Sequence, residues 1–365
     1  METRKKENEE AGTATFICKS CAGVMRFDIE KQEFCCENCG LIQEMDGDGD
    51  VFEHDLSAII DTVDPEWATA TETKKCSSCG AEIVVEAGAT TATCAFCGAP
   101  LVLLEKQMAG IKPEAIIPFR VDKVSASKLF SKWLSGKLFA PNALKNLYQS
   151  DKLQALYLPY WTFDADGAAK YTAQGGKEYY VTVGSGKDAH TERRVHWYSV
   201  GGSLSNFFDD VLISALKNSS VIQAKISQFN TKDCKPFSLE YLSGFSAKKY
   251  DKSVNDAFPE AARIMDKEFE NMARDDVLRS YDQVSNIHIH SSYFNVKYKN
   301  MLLPIWTSAY MYQTKIYNFM INGQTGRVSG QYPKSGAKIT ATVFAGALIL
   351  AAIVYFIYKY NTGGF

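Results

Sequence analysis

The motifs CKSC at residues 18–21 and CENC at residues 36–39 stand fourteen residues apart, and CSSC at 76–79 and CAFC at 94–97 repeat the arrangement 58 residues later. A CxxC pair on a tight turn presents two thiolates to one metal ion, and a second pair completes a closed tetrahedron. The spacing therefore predicts two zinc ribbons, each with one structural Zn²⁺ and no coordination position left for a substrate. The predicted ligands are Cys18, Cys21, Cys36, Cys39, Cys76, Cys79, Cys94 and Cys97.

Other chemistries of paired cysteines fit this repeat less well. Disulfides, a redox-active CxxC pair or an iron cluster remain alternatives, but none of them favours a fixed double repeat of this kind. A cross-braced finger would use all eight cysteines together, yet 36 residues separate Cys39 from Cys76, which favours two consecutive ribbons. Cys35 and Cys234 have no counterpart in the repeat and are interpreted as spare thiols.

The predicted zinc ions would carry much of the folding energy of the ribbons. A structural zinc contributes about 10–16 kcal/mol, which is enough to fold a short segment that has little apolar core. We therefore expect the metal to replace a core in each ribbon. Gly40, Gly80 and Gly98 directly follow a ligand cysteine, where a turn around the metal needs positive φ, whereas Ala22 occupies the remaining equivalent position.

A twenty-residue segment without a charge, Ile339–Tyr358, lies near the C-terminus and is followed by seven residues. Twenty apolar residues in a helix span about 30 Å, the thickness of the hydrocarbon core of a bilayer. Tyr355, Tyr358 and Lys359 resemble an interfacial belt. A buried core helix is the alternative, but soluble helices of this length are seldom apolar on every side. The segment predicts one transmembrane helix.

The charge distribution separates the two halves of the chain. The net charge is −2, but residues 1–110 contain 21 acidic and 9 basic residues, a net of −12, so the remainder carries +10. Nucleic-acid binding depends on phosphate neutralisation by Lys and Arg, so acidic ribbons disfavour that function. We predict a single-pass protein of the cell membrane with a cytoplasmic N-terminus. Metal-binding cysteines require a reducing compartment, and residues 1–12 are charged and do not resemble a signal peptide. Three basic residues also precede the apolar segment, namely Arg327, Lys334 and Lys338.

The middle of the chain predicts an α+β domain rich in strands. Helical patterns cover Ser125–Leu134, Pro141–Tyr148 and Ser253–Leu278. Strand patterns cover Leu153–Phe163, Lys177–Val183, Arg193–Val200, Asn286–Tyr298, Leu302–Tyr312, Ile316–Ile321 and Arg327–Gln331. LPYWT at 158–162 returns as LPIWT at 303–307, so we expect each copy to enter an equivalent strand with its proline near the start.

The full organisation follows from these segments. We predict a disordered tail (1–12), a first zinc ribbon (13–45), an acidic linker (46–73), a second zinc ribbon (74–105), an α+β domain (110–335), a transmembrane helix (339–358) and a short tail (359–365).

The sequence contains no convincing catalytic constellation. His288 and His290 share one face of a predicted strand, but no Cys or acidic group completes a metal site beside them. The segment 184–187 fails the spacing of a phosphate loop and is interpreted as a hairpin tip, while Asp209 and Asp210 are interpreted as a helix-terminus motif. We therefore predict no catalytic residue, no enzyme activity and no small-molecule substrate, although an enzyme site in the middle domain remains an alternative.

Several motifs together resemble a bacterial family of membrane-anchored proteins with TFIIB-type zinc ribbons, whose members are often mislabelled as a primosomal helicase. Besides the eight cysteines, the resemblance is carried by PFRVDK (118–123), LPYW (158–161), RVHW (194–197), FFDDVL (207–212), YLSGF (241–245), LLPIW (302–306) and NGQTGRVSGQYP (322–333). It covers nearly the whole chain. The helicase label has no support here, because the sequence contains neither a P-loop nor a helicase signature.

The resemblance implies a non-enzymatic adaptor. Proteins of this kind are similar to membrane tethers that recruit cytoplasmic partners, including stomatin/flotillin-like and phage-shock-protein-A-like proteins, during envelope stress. Only the eight ribbon cysteines carry over as functional residues. The expected partners are these proteins and the lipid bilayer, and the alternative function is that of a membrane-tethered nucleic-acid-binding protein.

Overall fold

The computed structural model describes residues 5–8, 13–45, 50–58, 72–75, 82–85, 91–93, 100–103, 113–141, 153–186, 189–217, 219–248, 250–313 and 315–361. The N-terminal strands are β1 (Lys5–Asn8), β2 (Thr13–Phe16), β3 (Met25–Asp28), β4 (Glu33–Cys36), β5 (Ile42–Gln43), β6 (His54–Asp55), β7 (Glu72–Lys75), β8 (Glu82–Val85), β9 (Thr91–Thr93) and β10 (Pro100–Leu103).

The middle strands are β11 (Ala115–Ile116), β12 (Gln154–Val183), β13 (His190–Ser214), β14 (Lys235–Pro236), β15 (Ser246–Ala247), β16 (Gln283–Tyr312), β17 (Lys315–Asn322) and β18 (Val328–Gly330). The helices are α1 (Lys123–Ser135), α2 (Val221–Ile226), α3 (Val254–Leu278) and α4 (Gly336–Asn361), with 3₁₀ turns at Leu56–Ala58, Thr231–Asp233 and Leu239–Leu242. The predicted α+β class with a strand-rich middle domain is confirmed. The helix predicted at Pro141–Tyr148 lies outside the described residues beyond Pro141.

Three very long antiparallel strands dominate the middle domain. Strands β12 and β16 contain 30 residues each and β13 contains 25, and β12 lies between the other two. At about 3.3 Å per residue the longest extend on the order of 100 Å. Segments that the sequence analysis separated are continuous strands, because the small residues between them are paired on both sides. A Cβ on Gly167 would lie 2.7 Å from the Phe208 ring, so this glycine admits a packed aromatic rather than ending the strand.

The two copies of the LPxW repeat face each other across β12 and β16, with Leu158 directly opposite Leu303. Each proline immediately precedes the first residue that pairs with the outer neighbouring strand, and its carbonyl accepts a hydrogen bond from that side. Pro159 O accepts from Ala215 N at 3.1 Å, and Pro304 O accepts from Gly323 N at 2.8 Å. A proline at this register costs no ladder hydrogen bond. The expected position at the beginning of the strand was wrong, because both strands continue on the N-terminal side of their proline.

The tryptophans of the repeat are buried and satisfied in the same way. The indole N–H of Trp161 donates to Lys252 O at 2.9 Å, and that of Trp306 donates to Val121 O at 2.7 Å. Trp161 therefore anchors the segment before α3 to the sheet, and Trp306 anchors the segment before α1.

Helix α3 covers one face of the long strands. Its predicted start is confirmed, since the Ser253 side chain accepts from Asp256 N as the N-cap. A buried apolar stripe faces the sheet and comprises Val254, Ala257, Ala261, Met265, Phe269, Ala273 and Val277. The Tyr293 hydroxyl donates to Asp266 at 2.7 Å at the margin of this stripe, and Tyr171 bonds Asp276.

Two segments predicted to be disordered or linking are ordered against other parts of the chain. Residues 5–8, assigned to the tail, form β1 and pair with β2, because β2 supplies the backbone partners that composition alone does not reveal. Within the predicted linker, His54 and Asp55 pair with Tyr298 and Lys297 of β16. Strand β2 also pairs with β10, so the two predicted ribbons share a sheet in the order β1-β2-β10-β9.

Helix α4 is the predicted apolar segment. Its span Gly336–Lys359 has a mean hydropathy of 2.3 and none of it is buried, and it is long and apolar enough to cross a membrane. It is fixed at its beginning, where Ser335 N donates to Phe139 O at 2.8 Å and Lys338 Nζ donates to Ala140 O at 2.7 Å.

Candidate metal centre

Two loops of the same conformation bring four cysteines together. In the first loop Cys18 N donates to Gly23 O and Ala22 N donates to Cys18 O; in the second, Cys36 N donates to Leu41 O and Gly40 N donates to Cys36 O. Gly40 has the predicted positive φ of 72°. Ala22 adopts a φ of 57° without being glycine, so the loop geometry prevails over the local preference of the residue.

The four sulfur atoms form one compact group. Cys18 Sγ lies 3.6 Å from Cys39 Sγ, Cys21 Sγ lies 3.5 Å from Cys36 Sγ, and all four lie within 4.8 Å of one another. These distances exceed the ~2.05 Å of a disulfide and are close to the edge of about 3.8 Å of a tetrahedron with 2.3 Å metal–sulfur bonds. The four cysteines are thus arranged to bind a metal ion.

The pKa values of the clustered cysteines indicate that a cation is needed to stabilise all four thiolates. The backbone N–H of Cys39 lowers the pKa of Cys36 to about 7 against the opposing effect of burial, and the Asn38 N–H adds to it. At Cys39 the Leu41 N–H acts to lower the pKa, but the neighbouring thiols outweigh it and raise the pKa to about 12. Four thiols this close cannot all lose their protons unless a positive ion offsets the charge.

Gly23 leaves the room in which the sulfurs meet, and the sequence analysis did not single it out. A Cβ at this position would lie 2.9 Å from Asn38 Cβ, 3.1 Å from Cys36 Sγ and 3.2 Å from Cys21 Sγ. Any larger residue would push the two loops apart. In the sequence, Gly23 is a glycine two residues after the predicted ligand Cys21. Because glycine is common in turns, this position did not indicate a special role in the metal site.

The first ribbon also has an apolar core, contrary to the expectation that metal replaces one. Phe16, Met25, Phe27 and Phe34 are buried in the same cluster as residues of the middle domain. Phe27 packs on Tyr241 with ring centroids 5.2 Å apart. The ribbon is therefore packed against the middle domain through its aromatic side chains, which contact residues far along the chain.

Polar contacts hold this ribbon to the middle domain as well. Ser243 Oγ donates to Met25 O at 2.8 Å, and Gln32 Nε2 donates to Phe119 O at 2.7 Å. One side of the ribbon is therefore covered by the middle domain of the same chain.

The other side of the ribbon, beside the cysteines, faces solvent. Cys21 and Cys39 are exposed, and the residues after Cys39 include Leu41 and Ile42, which are 40% and 53% exposed. We call Leu41 and Ile42 the apolar tip. Glu37 and Glu44 flank it and are exposed too.

The second cysteine set lies outside the described residues, so its four-thiolate site stays a prediction. Strands β7 and β8 flank the first pair of that set and form an antiparallel hairpin, and β9 and β10 flank the second pair and are likewise antiparallel.

Cys35 and Cys234 do not join the four-cysteine group. Burial raises the pKa of the Cys35 thiol, the Asp28 charge adds to this, and the thiol faces Asp28 at 3.9 Å. Burial also raises the pKa of Cys234. Both thiols favour the protonated form, as spare thiols would.

The other candidate positions carry no site of their own. His288 and His290 are exposed on β16, opposite Thr172 and Lys170, and belong to no metal-binding group among the described residues. Gly184 and Gly186 have positive φ between β12 and β13, as expected of a hairpin tip.

The interpretation of Asp209 and Asp210 as a helix terminus was wrong, because both lie within β13. Asp210 has a φ of 51° where the pairing with β12 shifts register, between Phe163 and Ala165. A β-bulge of this kind redirects side chains, and no local periodicity announces it.

This bulge builds a second group of charges that the sequence analysis missed. The Lys299 side chain is 7% exposed, and its ammonium lies 2.8 Å from Glu53 Oε1 and 2.6 Å from Asp210 Oδ1. Asp164 accepts from Asp210 N at 2.7 Å. We call Glu53, Asp164, Asp210 and Lys299 the buried charge cluster. Although the three carboxylates have metal-like spacing, the lysine already provides their cation.

The buried charge cluster makes stability depend on pH through Asp164. Burial raises the pKa of Asp164 to about 6, and the Glu53 carboxyl adds to the shift. Because the folded state binds this proton more tightly than the unfolded state, protonated Asp164 stabilises the fold fully below about pH 4. This stabilisation is lost as the pH rises through about 6. The asparagine of Asp164→Asn does not titrate. As the pH rises from 4 to 7, the unfolding free energy of this variant should therefore increase by about 1–2 kcal/mol relative to that of the wild type. Urea unfolding of the full chain in detergent micelles at pH 4 and pH 7 measures this difference. A difference in unfolding free energy that is the same at both pH values would contradict this assignment.

Comparisons with known proteins add one relative. The chain is similar to the Bacillus subtilis (strain 168) protein named "Uncharacterized protein YdjG", with 26% identity over 254 residues that cover 68% of this chain and 73% of that protein. No protein-family model matches the chain. No solved structure matches it.

Proposed function

We propose that this protein is a non-enzymatic, membrane-tethered zinc-ribbon adaptor that recruits cytoplasmic proteins to the cell membrane. The observation that carries the proposal is the four-cysteine group beside an exposed apolar tip, in a chain that ends with an exposed apolar helix. A closed ligand set leaves no open position for catalysis, so its function is to hold a surface in shape.

Zinc is the metal that the donor set favours. Four thiolates at tetrahedral spacing suit Zn²⁺, and the loops direct the N–H of Ser20 toward Cys18 Sγ and that of Asn38 toward Cys36 Sγ, both at 3.4 Å. Zinc would neutralise part of the charge that the clustered thiolates develop. The second cysteine set would bind a second structural ion, as its identical spacing suggests.

The apolar tip is the surface that fits a protein partner best. Leu41 and Ile42 project beside the metal loops with acidic residues around them, and the opposite side of the ribbon is packed on the middle domain. Apolar residues ringed by charged ones are the usual composition of a contact with another protein. The resemblance suggests stomatin/flotillin-like and phage-shock-protein-A-like proteins as partners, and envelope stress as the setting.

The tether would be α4, with the N-terminal side in the cytoplasm. Arg327, Lys334 and Lys338 precede its apolar part and Lys359 follows it, which is the distribution expected when the larger domain stays inside. Thiolate ligands also require a reducing compartment.

The test is partner capture with a disrupted apolar tip. We expect the double substitution Leu41→Asp and Ile42→Asp in the full-length protein to lower the yield of co-purified membrane-associated partners at least about tenfold, since two buried interface side chains are replaced by charges. Metal content and membrane association should not change. Val221→Asp is the control, because Val221 on α2 is an exposed apolar residue outside the apolar tip.

Three outcomes separate the alternatives. Partners lost only with the double substitution support the adaptor. Undiminished capture would overturn the apolar tip as the docking surface. Partners that disappear after nuclease treatment of the wild-type sample would instead favour a membrane-tethered nucleic-acid-binding protein.

A further inference from the structure

A lysine-rich surface surrounds the point where α4 leaves the folded domain. Residues 123–141 contain four lysines and no acidic residue, and residues 327–338 contain three basic residues and none that is acidic. The two segments are in contact, because Ser335 and Lys338 donate to the carbonyls of Phe139 and Ala140. We call this surface the lysine face; it comprises the exposed residues Lys128, Lys132, Leu138 and Lys334 and the half-buried residues Trp133 and Lys137.

Aromatic side chains hold the lysine face together. The Lys137 ammonium lies 4.6 Å from the centroid of the Trp133 ring and 5.7 Å from that of Tyr332. The two rings meet edge to face with centroids 5.9 Å apart. This arrangement fixes the C-terminal end of α1 against the segment that leads into α4. The lysine face therefore moves with the beginning of the apolar helix.

The length of α4 determines where this surface would lie. The apolar part from Ile339 to Tyr358 is about 30 Å long as a helix, which equals the hydrocarbon thickness of a bilayer. Ile339 would then mark the boundary of the hydrocarbon, and Ser335 to Lys338 would lie in the headgroup layer, only several ångströms thick. Because Phe139 and Ala140 are bonded to these residues, the loop after α1 would lie in that layer too.

The side chains at this height suit anionic headgroups. Lysine ammonium groups pair with phosphates, and tryptophan and tyrosine prefer the interface between water and hydrocarbon. Leu138 is 70% exposed beside them, which is unfavourable in water and favourable at the upper edge of the acyl chains. A protein partner would have to compete with the lipids for this position.

We propose that the lysine face lies on the headgroups of an anionic lipid leaflet and fixes the orientation of the domain on the membrane. The proposal rests on the membrane insertion of α4 proposed above. Contacts of α1 and Leu138 with the lipids beside α4 would set the orientation of the domain relative to the membrane. The adaptor would thereby present its remaining surfaces to the cytoplasm in one direction.

The experiment is photo-crosslinking of the full-length protein reconstituted in phosphatidylcholine vesicles, with and without phosphatidylglycerol. Benzoylphenylalanine replaces Phe344 within α4, Leu138 on the lysine face or Tyr180 near the far end of β12, which is as exposed as Leu138. We expect lipid adducts at 344 in both vesicles and none at 180. At 138 we expect adducts that increase about threefold or more with phosphatidylglycerol.

Charge reversal isolates the role of the lysines. Lys128→Glu with Lys132→Glu should return the adduct yield at 138 to the level in pure phosphatidylcholine and leave the yield at 344 unchanged. The matched control is Lys170→Glu with Lys225→Glu, two exposed lysines outside the lysine face, which should have no effect.

The outcomes distinguish this proposal from the one on which it rests. Adducts at 344 without adducts at 138 would overturn the lysine face and leave the membrane anchor standing. Absence of adducts at 344 would overturn the anchor and with it the lysine face. Adducts at 138 that depend neither on phosphatidylglycerol nor on Lys128 and Lys132 would overturn the recognition of anionic headgroups.

Discussion

Replacing Cys36 with serine is expected to remove one bound metal ion per chain and to lower the melting temperature of the full-length protein by about 10 °C or more. The sulfur of Cys36 lies 3.5 Å from that of Cys21 and belongs to the four-cysteine group. A three-thiolate site binds zinc much more weakly than a closed four-thiolate site. The effect should extend beyond the ribbon, because Phe16, Met25 and Phe34 share a core with the middle domain.

The measurement pairs metal analysis of the purified protein with thermal unfolding in detergent micelles. Cys35→Ser is the matched control, because Cys35 is adjacent in sequence and also buried, but its thiol faces Asp28 rather than the group. It should retain the metal content of the wild type. Equal metal content in the two variants would refute the assignment of Cys36 as a ligand. Metal loss without a change in melting temperature would show that the shared core folds without the ion.

Lys299→Met is expected to destabilise the protein by about 3–5 kcal/mol at neutral pH, because it leaves carboxylates buried without their cation. Burial acts to lower the pKa of Lys299, but the hydrogen bonds to Asp210 and Glu53 outweigh it and raise this pKa. The ammonium is therefore present at every pH at which the fold is studied. Methionine occupies a similar volume, so loss of charge rather than of packing dominates the effect.

The pH dependence of this variant provides a second readout. Burial acts to raise the pKa of Glu53, but the hydrogen bond from Lys299 helps to lower it, so this pKa should rise when Lys299 is removed. A raised carboxyl pKa favours the fold at low pH. The difference in unfolding free energy between wild type and variant should therefore be largest near pH 7 and shrink toward pH 5. Lys297→Met is the matched control on the same strand, since Lys297 is exposed and should change stability by less than about 0.5 kcal/mol. A cost that does not vary with pH would indicate lost packing instead.

The buried charge cluster also joins the N-terminal region to the middle domain. Glu53 belongs to the segment between the two cysteine sets, and Lys299 follows it by 246 positions. Beside it, His54 Nε2 lies 2.9 Å from Glu114 Oε1, and burial raises the pKa of that carboxyl. The acidic segment predicted as a linker is thus held in place at Glu53 by an ion pair and at His54 by a hydrogen bond.

Features that depend on neighbours along the chain can be read from the sequence. The ligand set Cys18, Cys21, Cys36 and Cys39 is readable because two residues between thiolates suffice to bring both to one metal. Helices α3 and α4 are readable because their apolar patterns and the Ser253 cap are local. The repeated LPxW motif was visible as well, although its meaning was not.

The pairing of distant segments becomes apparent in the folded protein. The sequence shows two LPxW copies 145 residues apart, but the register that places Leu158 opposite Leu303 depends on the whole sheet. The merging of short strand patterns into 30-residue strands depends on neighbours that cover small residues on both sides. The same origin holds for the burial of Lys299, the docking of the ribbon through Phe27 and the bonding of the loop after α1 to the beginning of α4. Each is a contact whose free energy appears only when residues far apart in the chain exclude water together.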